Sequence, residues 1–514
     1  MQQLETMAAV TPVMARELAV AQKVCVRPIM RRVIDRDTDT DQRVAIPCGS
    51  TRESVCPSCA HKARILRMQQ CAEGWHRTEE PEQDSATATA TRPDDLLEEG
   101  EPGPDPVRGE DSQDRARRAR STRRRDDVCE LPRVTPSSTT VGAVYSAPNG
   151  REYRPSMFLT MTLPSYGAVG SGGIPLDPDR YDYRRAALDA LHFAKLVDRF
   201  WQNLRRCAGF KVQYFATVEP QARLAAHLHA AVRGAIPRQL LRQVIRATYV
   251  QVWWPSFDRA VYVDRLPVWD GEEYVDPDTG AALPTWDEAL AQVDADPDAR
   301  PVHVARFGKQ ADMRGIIAPS ADAERAVRYL TKYLTKAVAD PISDDADEWD
   351  PAREAHIDRL HTELRYLPCS PQCANWLRYG LQPKSPGAGL APGRCPAKAH
   401  DREHLGLGGR RVLVSRQWSG KTLAGHRADR ATVVRQALLT AGVLAPDVER
   451  LAADTLSADG HPRFVWTDTK TDPISYSRVI LESIAERQRW RTQYEQAKAA
   501  GGSVDDRSAT AQPP

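Results

Sequence analysis

Several features that would assign this 514-residue chain quickly are missing. There is no run of about 18 apolar residues, so a membrane-spanning helix and a membrane partner are not expected. The N-terminus lacks the basic-then-apolar pattern of a secretory leader, which gives the expectation of a cytoplasmic protein. Excess charge of one sign is also lacking. Lys and Arg total 71 against 69 Asp and Glu, a net +2, so any case for an acidic or basic partner rests on local patches. What is present is ten cysteines, which in a cytoplasmic chain argue for metal binding over disulfides. The 38 prolines and 30 glycines predict many loops. The length allows roughly two to four domains with at least one substantial core.

The most informative stretch is Val218-Glu219-Pro220 through Ala225-Ala226-His227-Leu228-His229-Ala230-Ala231-Val232. Residues 225–232 are short, apolar and β-compatible, and they read as a buried strand. Alternation along a strand sends His227 and His229 to one face and Leu228 to the other. Two imidazoles on one face make half a site for a divalent cation. Glu219, eight residues before His227 across a proline-containing turn, is positioned to return as an oxygen ligand. A bare His-x-His is equally the pattern of two ordinary sheet histidines.

Two cysteine groups carry metal-ligand spacing. Cys56 and Cys59 form a C-x2-C knuckle which, with Cys25 and Cys48, can close an all-thiolate zinc site. Cys71, on an expected helix from Ala60 to Trp75, is the substitute for Cys25. Farther on, Cys369, Cys373, Cys395 and His400 have the spacing C-x3-C-x21-C-x4-H of a three-thiolate, one-imidazole zinc site, with His404 in reserve. Trp376 and Tyr379 beside it suit either a DNA-facing or a solvated surface. Between the groups, residues 78–150 run from acidic and Pro-rich to a stretch with seven arginines in residues 115–125. This composition buries too little to offset ordering entropy and reads as a disordered linker. Its arginines fit either non-specific phosphate contact or pairing with the acidic half.

The remaining elements follow from periodicity. Met157–Leu163 and Phe210–Val218 read as strands, as does Val302–Phe307 with His303 in a structural role. Residues 184–207, 237–253, 428–439 and 476–499 read as helices. A further helix, Ala321 to Val338, carries Tyr329-Leu-Thr-Lys332-Tyr333-Leu-Thr-Lys336. The tyrosines share one face, with the lysines beside them. Such a face is ordinary packing with a solvated edge unless a metal and a phosphate lie nearby. Adjacent cations and a polarised phosphate would assist a phenol of pKa about 10 as nucleophile.

The ordered set of a Phe-Leu-Thr-Met-Thr strand, Glu-x7-His-Leu-His and Tyr-x2-Lys-Tyr-x2-Lys resembles the rolling-circle replication initiators of the HUH endonuclease superfamily. The likeness is to initiators of actinobacterial plasmids and integrative elements. The superfamily likeness spans residues 150–340, and that to the actinobacterial group most of the chain. It implies Mg²⁺ or Mn²⁺ at His227, His229 and Glu219, and attack by Tyr333 on one origin strand. The products would be a 5′-phosphotyrosine and a free 3′-OH. Tyr329 matches the second nucleophile of two-tyrosine members. Lys332 and Lys336 would offset phosphate charge. The partners implied are origin DNA, single-stranded at the nick, and host helicase and polymerase.

One other motif is incomplete. Ser419-Gly420-Lys421-Thr422 after Arg411–Val414 resembles the end of a phosphate loop, but Ser415 stands where that loop needs glycine. Nucleotide hydrolysis is therefore not expected.

The resulting expectation is an α+β fold, an HUH-type antiparallel sheet core with packed helices, two zinc modules and a helical C-terminal region. The boundaries are 1–77 for the first zinc module, 78–150 for the linker and 151–340 for the nuclease core. Residues 341–425 form the second zinc module and 426–514 the helical region with a disordered tail. A conjugative relaxase is the alternative within the superfamily, although relaxases usually place the tyrosine before the histidines. A non-enzymatic zinc-dependent DNA-binding regulator is the alternative outside it.

Overall fold

The structure is a computed structural model that describes residues 10–80, 125–150, 152–332, 334–335, 350–440, 456–469 and 473–505. It is a mixed α and β protein that divides into two compact units. No described helix is long and apolar enough to cross a membrane.

The larger unit, residues 71–333 and 337–420, is built on an antiparallel sheet. Its strands are β1 (Glu152–Thr162), β2 (Tyr214–Pro220), β3 (Ala226–Arg233), β4 (Ala311–Ala318) and β5 (Val412–Val414), in the order β4-β1-β3-β2-β5. Residues Tyr145–Ser146 add a short antiparallel pairing to β1. Alternation divides the faces. Met157, Leu159 and Met161 of β1 stand opposite Val232, Ala230 and Leu228 of β3, and all six are buried in the main core. Helix α1 (Tyr183–Ala208) covers this face with Leu196, Val197, Phe200 and Leu204. The helix starts where the Asp182 carboxylate accepts the Arg185 N–H and stops at Gly209, whose left-handed φ of 74° suits glycine. Each fully buried Leu or Phe on this face contributes about 1.5–3 kcal/mol. The other face carries Thr160, Thr162, Thr217, Glu219, His227 and His229 and lies beside α2 (Ala321–Lys332).

The smaller unit takes residues up to Gln70, residues 334–335 and residues from Lys421 onward. Strands Ile29–Asp35 and Thr40–Ile46 form a hairpin, and Phe464–Asp468 joins its first strand antiparallel. The Arg463 guanidinium grips both oxygens of Asp35, at 2.9 and 2.8 Å, and holds that carboxyl well below its usual range. Ala15 and Ala19 pack with Ile480 and Ile484 in a small core that includes Cys56 and Cys59.

Several elements depart from the sequence expectation. The helix expected over 237–253 ends at Ala247. Thr248 is extended, and the alternating Tyr249–Val252 pairs with His303–Arg306 instead. Residues 426–514 are not helical throughout, because Phe-Val-Trp-Thr-Asp after the Asp459-Gly460 turn has strand chemistry and finds a partner edge. The linker assigned to 78–150 is described only in part. Residues 81–124, which include most of the arginine stretch, lie outside the described residues, while Ser137 bridges to Phe210 and Tyr145–Ser146 pairs with β1. His303 is structural in geometry, with its Nε2 2.8 Å from the buried Asp189, which also accepts from the Tyr166 hydroxyl.

Candidate metal and tyrosine site

Two rungs of the sheet build the site. In one, Thr160 of β1, His229 of β3 and Thr217 of β2 stand side by side; in the next, Thr162, His227 and Glu219 do. Directly opposed residues share a face, so register alone gathers these six side chains. The β2–β3 connection is a tight turn in which the Gln221 N–H donates to the Ala225 carbonyl. Leu224 adopts φ 62° there, unfavourable for a branched side chain, and its burial in the core offsets the strain.

His229 is the centre. Its Nδ1 lies 3.0 Å from the Thr160 hydroxyl, and its Nε2 lies 3.1 Å from the Tyr329 hydroxyl and 3.9 Å from Glu219 Oε2. The His227 and His229 rings are 4.2 Å apart, and His227 Nδ1 is buried with no hydrogen-bond partner among the described residues. Thr217 donates to Glu219 Oε1 at 3.3 Å. Phe158 packs between, with its centroid 5.8 Å from His229 and 6.1 Å from Tyr329.

Burial sets the charges. It pushes Glu219 up to about 7, opposed by the Arg411 cation and by the Thr217 hydrogen bond. Burial and the Arg223 cation take His227 down to about 4; burial and the neighbouring His227 take His229 down to about 3. Both imidazoles are thus neutral at pH 7, the form that ligates metal. The donor set of two nitrogens and a carboxylate suits Mg²⁺ or Mn²⁺, and the orphaned His227 nitrogen fits a ligand role. The set is more open than the cysteine groups, whose donor atoms all lie within 4.8 Å of one another.

Helix α2 delivers Tyr329, which stands half exposed above the sheet. The described helix ends at Lys332 and Leu334–Thr335 form a turn, while residues 336–338 of the expected helix lie outside the described residues. Tyr333 and Lys336 lie outside the described residues.

Both cysteine groups close. Cys25, Cys48, Cys56 and Cys59 converge in the smaller unit, with Cys25 and Cys56 sulfurs 3.8 Å apart. Cys369, Cys373, Cys395 and His400 converge in the larger one, with the Cys369–Cys395 sulfurs 3.9 Å apart and Cys373 Sγ 3.6 Å from His400 Nε2. Sulfurs at tetrahedral corners about 2.3 Å from zinc stand about 3.8 Å apart, so both sets fit that ion. The His400 Nδ1–H donates to the Leu364 carbonyl at 2.7 Å, which turns Nε2 toward the thiols. Burial pushes the Cys59 thiol up, and the nearby Cys369 and Cys395 thiols with burial do the same to Cys373, a cost that a bound cation would remove. Cys71 is buried and is not among the converging donors of the first group, and His404 stays outside the second, 3.8 Å from Asp401. Trp376 faces neither DNA nor solvent. It is fully buried, 4.7 Å from the Trp286 ring, with its N–H given to the Ser370 carbonyl.

The threonines that orient His229 and Glu219 were not singled out from the sequence. Their signal was the alternation of the Leu-Thr-Met-Thr strand, which puts Thr160 and Thr162 in phase with the histidines once β1 pairs with β3.

A family model described as replication initiator protein, pSAM2 (RepSA) matches residues 13–486. The chain belongs to this replication initiator family. A curated replication initiator protein from Streptomyces ambofaciens is 28% identical over 219 residues, covering 36% of this chain. The match spans 42% of that relative's length. No solved structure matches.

Proposed function

We propose that this initiator nicks one DNA strand at a plasmid or integrative-element origin through a tyrosine nucleophile. The observation that carries the reading is the Tyr329 hydroxyl 3.1 Å from His229 Nε2, on the sheet face that also holds His227 and Glu219. On this reading the fold is of HUH type and the nuclease core is residues 151–340. The two cysteine groups are structural zinc modules in 1–77 and 341–425, joined to the core by the 78–150 segment and followed by 426–514. His227, His229 and Glu219 would hold Mg²⁺ or Mn²⁺, which supplies Lewis-acid polarisation of the scissile phosphate when bound.

The remaining work falls to side chains. Thr160 and Thr217 hold His229 and Glu219 in orientation. A phenol oxygen from Tyr-Leu-Thr-Lys-Tyr-Leu-Thr-Lys gives up its proton and bonds to phosphorus as the bond to the 3′ oxygen breaks. This leaves a 5′-phosphotyrosine, and the released 3′ oxygen takes a proton to become the 3′-OH that primes synthesis. No phosphodiester energy is lost, so the strand can be rejoined. The resemblance assigns the first attack to Tyr333 and a second, terminating cleavage to Tyr329. Lys332 and Lys336 offset the phosphate charge. A pocket that threads one strand requires single-stranded DNA, opened and copied by host helicase and polymerase in the cytoplasm.

The test is a supercoiled origin plasmid with Mn²⁺ or Mg²⁺. Tyr333→Phe should lose both nicking and the covalent protein–DNA adduct, and Tyr329→Phe should keep part of each. An adduct at wild-type yield in Tyr333→Phe would move the first attack to Tyr329 or elsewhere. If His227→Ala leaves origin function intact, the nicking reading fails and the chain is a DNA-binding regulator.

A further inference from the structure

At the far end of the same sheet face a guanidinium is buried without a hydrogen-bond partner among the described residues. Arg154 of β1 stands opposite Ala318 of β4 and is 2% exposed. None of its Nε, Nη1 and Nη2 atoms has a hydrogen-bond partner among the described residues. Arg154 is in phase with Ser156, Thr160 and Thr162, hence on the face of His227 and His229. Thr160 lies six positions further along the strand, about 20 Å at about 3.4 Å per residue.

Cations and carboxylates both surround Arg154. Burial and the Arg154 cation hold His76 below its ordinary value, which favours the neutral imidazole, and its Nδ1 is also buried without a hydrogen-bond partner among the described residues. Arg233, fully buried, already donates to the carbonyls of Gly74, Gln417 and Trp418 and lies over the Trp418 ring. Arg77 gives one N–H to the Ser419 carbonyl. The carboxylates nearby do not answer Arg154. Glu80 is taken up by Thr140 and the Val141 N–H. Glu152 is exposed and acts on Arg154 through its charge without bonding it, and Glu324 acts on His76 in the same way.

A buried charge is retained when it is paired, and a planar fork of N–H groups matches an oxyanion with several acceptor oxygens. We propose that Arg154 and His76 form a binding site for a phosphate-class oxyanion. The site is separate from the Glu219–His227–His229 set and does not depend on the nicking reading. The phosphate has two possible sources, free inorganic phosphate and the DNA backbone, and the chemistry of recognition is the same for both.

The experiment measures the thermal midpoint of the full chain against inorganic phosphate, at ionic strength held constant with chloride. Wild type should gain saturably. Arg154→Met, which keeps the length and loses the charge, should show no saturable gain, and Arg154→Lys should recover part of it. Glu152→Gln, at an exposed position, should bind phosphate severalfold more tightly, and it serves as the second variant if Arg154→Met does not fold. A short single-stranded oligonucleotide that abolishes the phosphate-induced gain assigns the site to backbone phosphate; one that leaves it intact assigns it to the free anion. The proposal is overturned if wild type shows no saturable gain with phosphate, or if Arg154→Met gains as much as wild type.

Discussion

Replacing Glu219 with Gln separates the cation binding proposed for this side chain from the buried charge that it carries. The substitution keeps the shape and leaves an oxygen to accept from Thr217. Glu219 is 5% exposed, and burial raises it from an ordinary value of 4.5 to about 7. The folded chain without metal therefore holds this proton more tightly than the unfolded chain. The stability that follows is complete below pH 4.5 and is lost as pH rises through about 7. That gap corresponds to a penalty of roughly 3 kcal/mol at pH 8, at ~1.36 kcal/mol per pKa step. Urea unfolding of the larger unit is the assay, after dialysis without chelator so that tightly held zinc stays in place. At pH 8 Glu219→Gln should be more stable than wild type by about 2–3 kcal/mol, and below pH 4.5 the two should coincide. Added Mn²⁺ should reverse the order at pH 8, because only wild type can close the ligand set, and Mn²⁺ affinity of wild type should fall about tenfold per pH unit below 7. Equal stability of the two proteins at pH 8 without Mn²⁺, or an equal gain from Mn²⁺, would refute the reasoning.

Three further outcomes follow from the same geometry. Atomic emission should find two zinc ions per chain in wild type and one in either Cys56→Ser or Cys373→Ser, because each change breaks one four-donor set and leaves the other whole. Thr160→Val should weaken Mn²⁺ binding about 10–100-fold by releasing His229 Nδ1, with Thr160→Ser restoring it; electron paramagnetic resonance of free Mn²⁺ reads both without any DNA. Phe200→Ala, in the core under the sheet, should cost about 3–5 kcal/mol in denaturant unfolding while leaving the zinc content unchanged.

The parts legible from the sequence were those whose signal is local. His227 and His229 share a face because a strand alternates. The helix Tyr183–Ala208 shows itself in apolar steps of three and four, and the cysteine groups show themselves in ligand spacing. What escaped depends on partners far along the chain. Phe464–Asp468 is a strand because Ile29–Asp35, more than four hundred residues earlier, offers it an edge. Trp376 was open to a surface role because its neighbours Trp254, Trp286 and Phe257 come from a separate excursion that composition alone does not fold. Thr248 ends a helix that its neighbours would continue, because Val250 and Val252 have a sheet partner in His303–Arg306.

Register is the physical step that joins these levels at the candidate site. A shift of one residue between β1 and β3 would leave each strand's own alternation intact and still destroy the site, since with Met161 opposite His229, Thr160 would oppose Ala230 and Thr162 would oppose Leu228. The apolar face prevents this shift. Met157, Leu159 and Met161 bury against α1 only in the present register, together with Leu228, Ala230 and Val232. The histidine face contributes little to that choice, since it places Glu219 and two imidazoles out of water, a cost that their threonine and tyrosine hydrogen bonds offset in part and a bound cation would offset further. The α1 core thus holds the polar ladder in place, and the ladder's own instability without a cation is the property that the Glu219→Gln comparison measures.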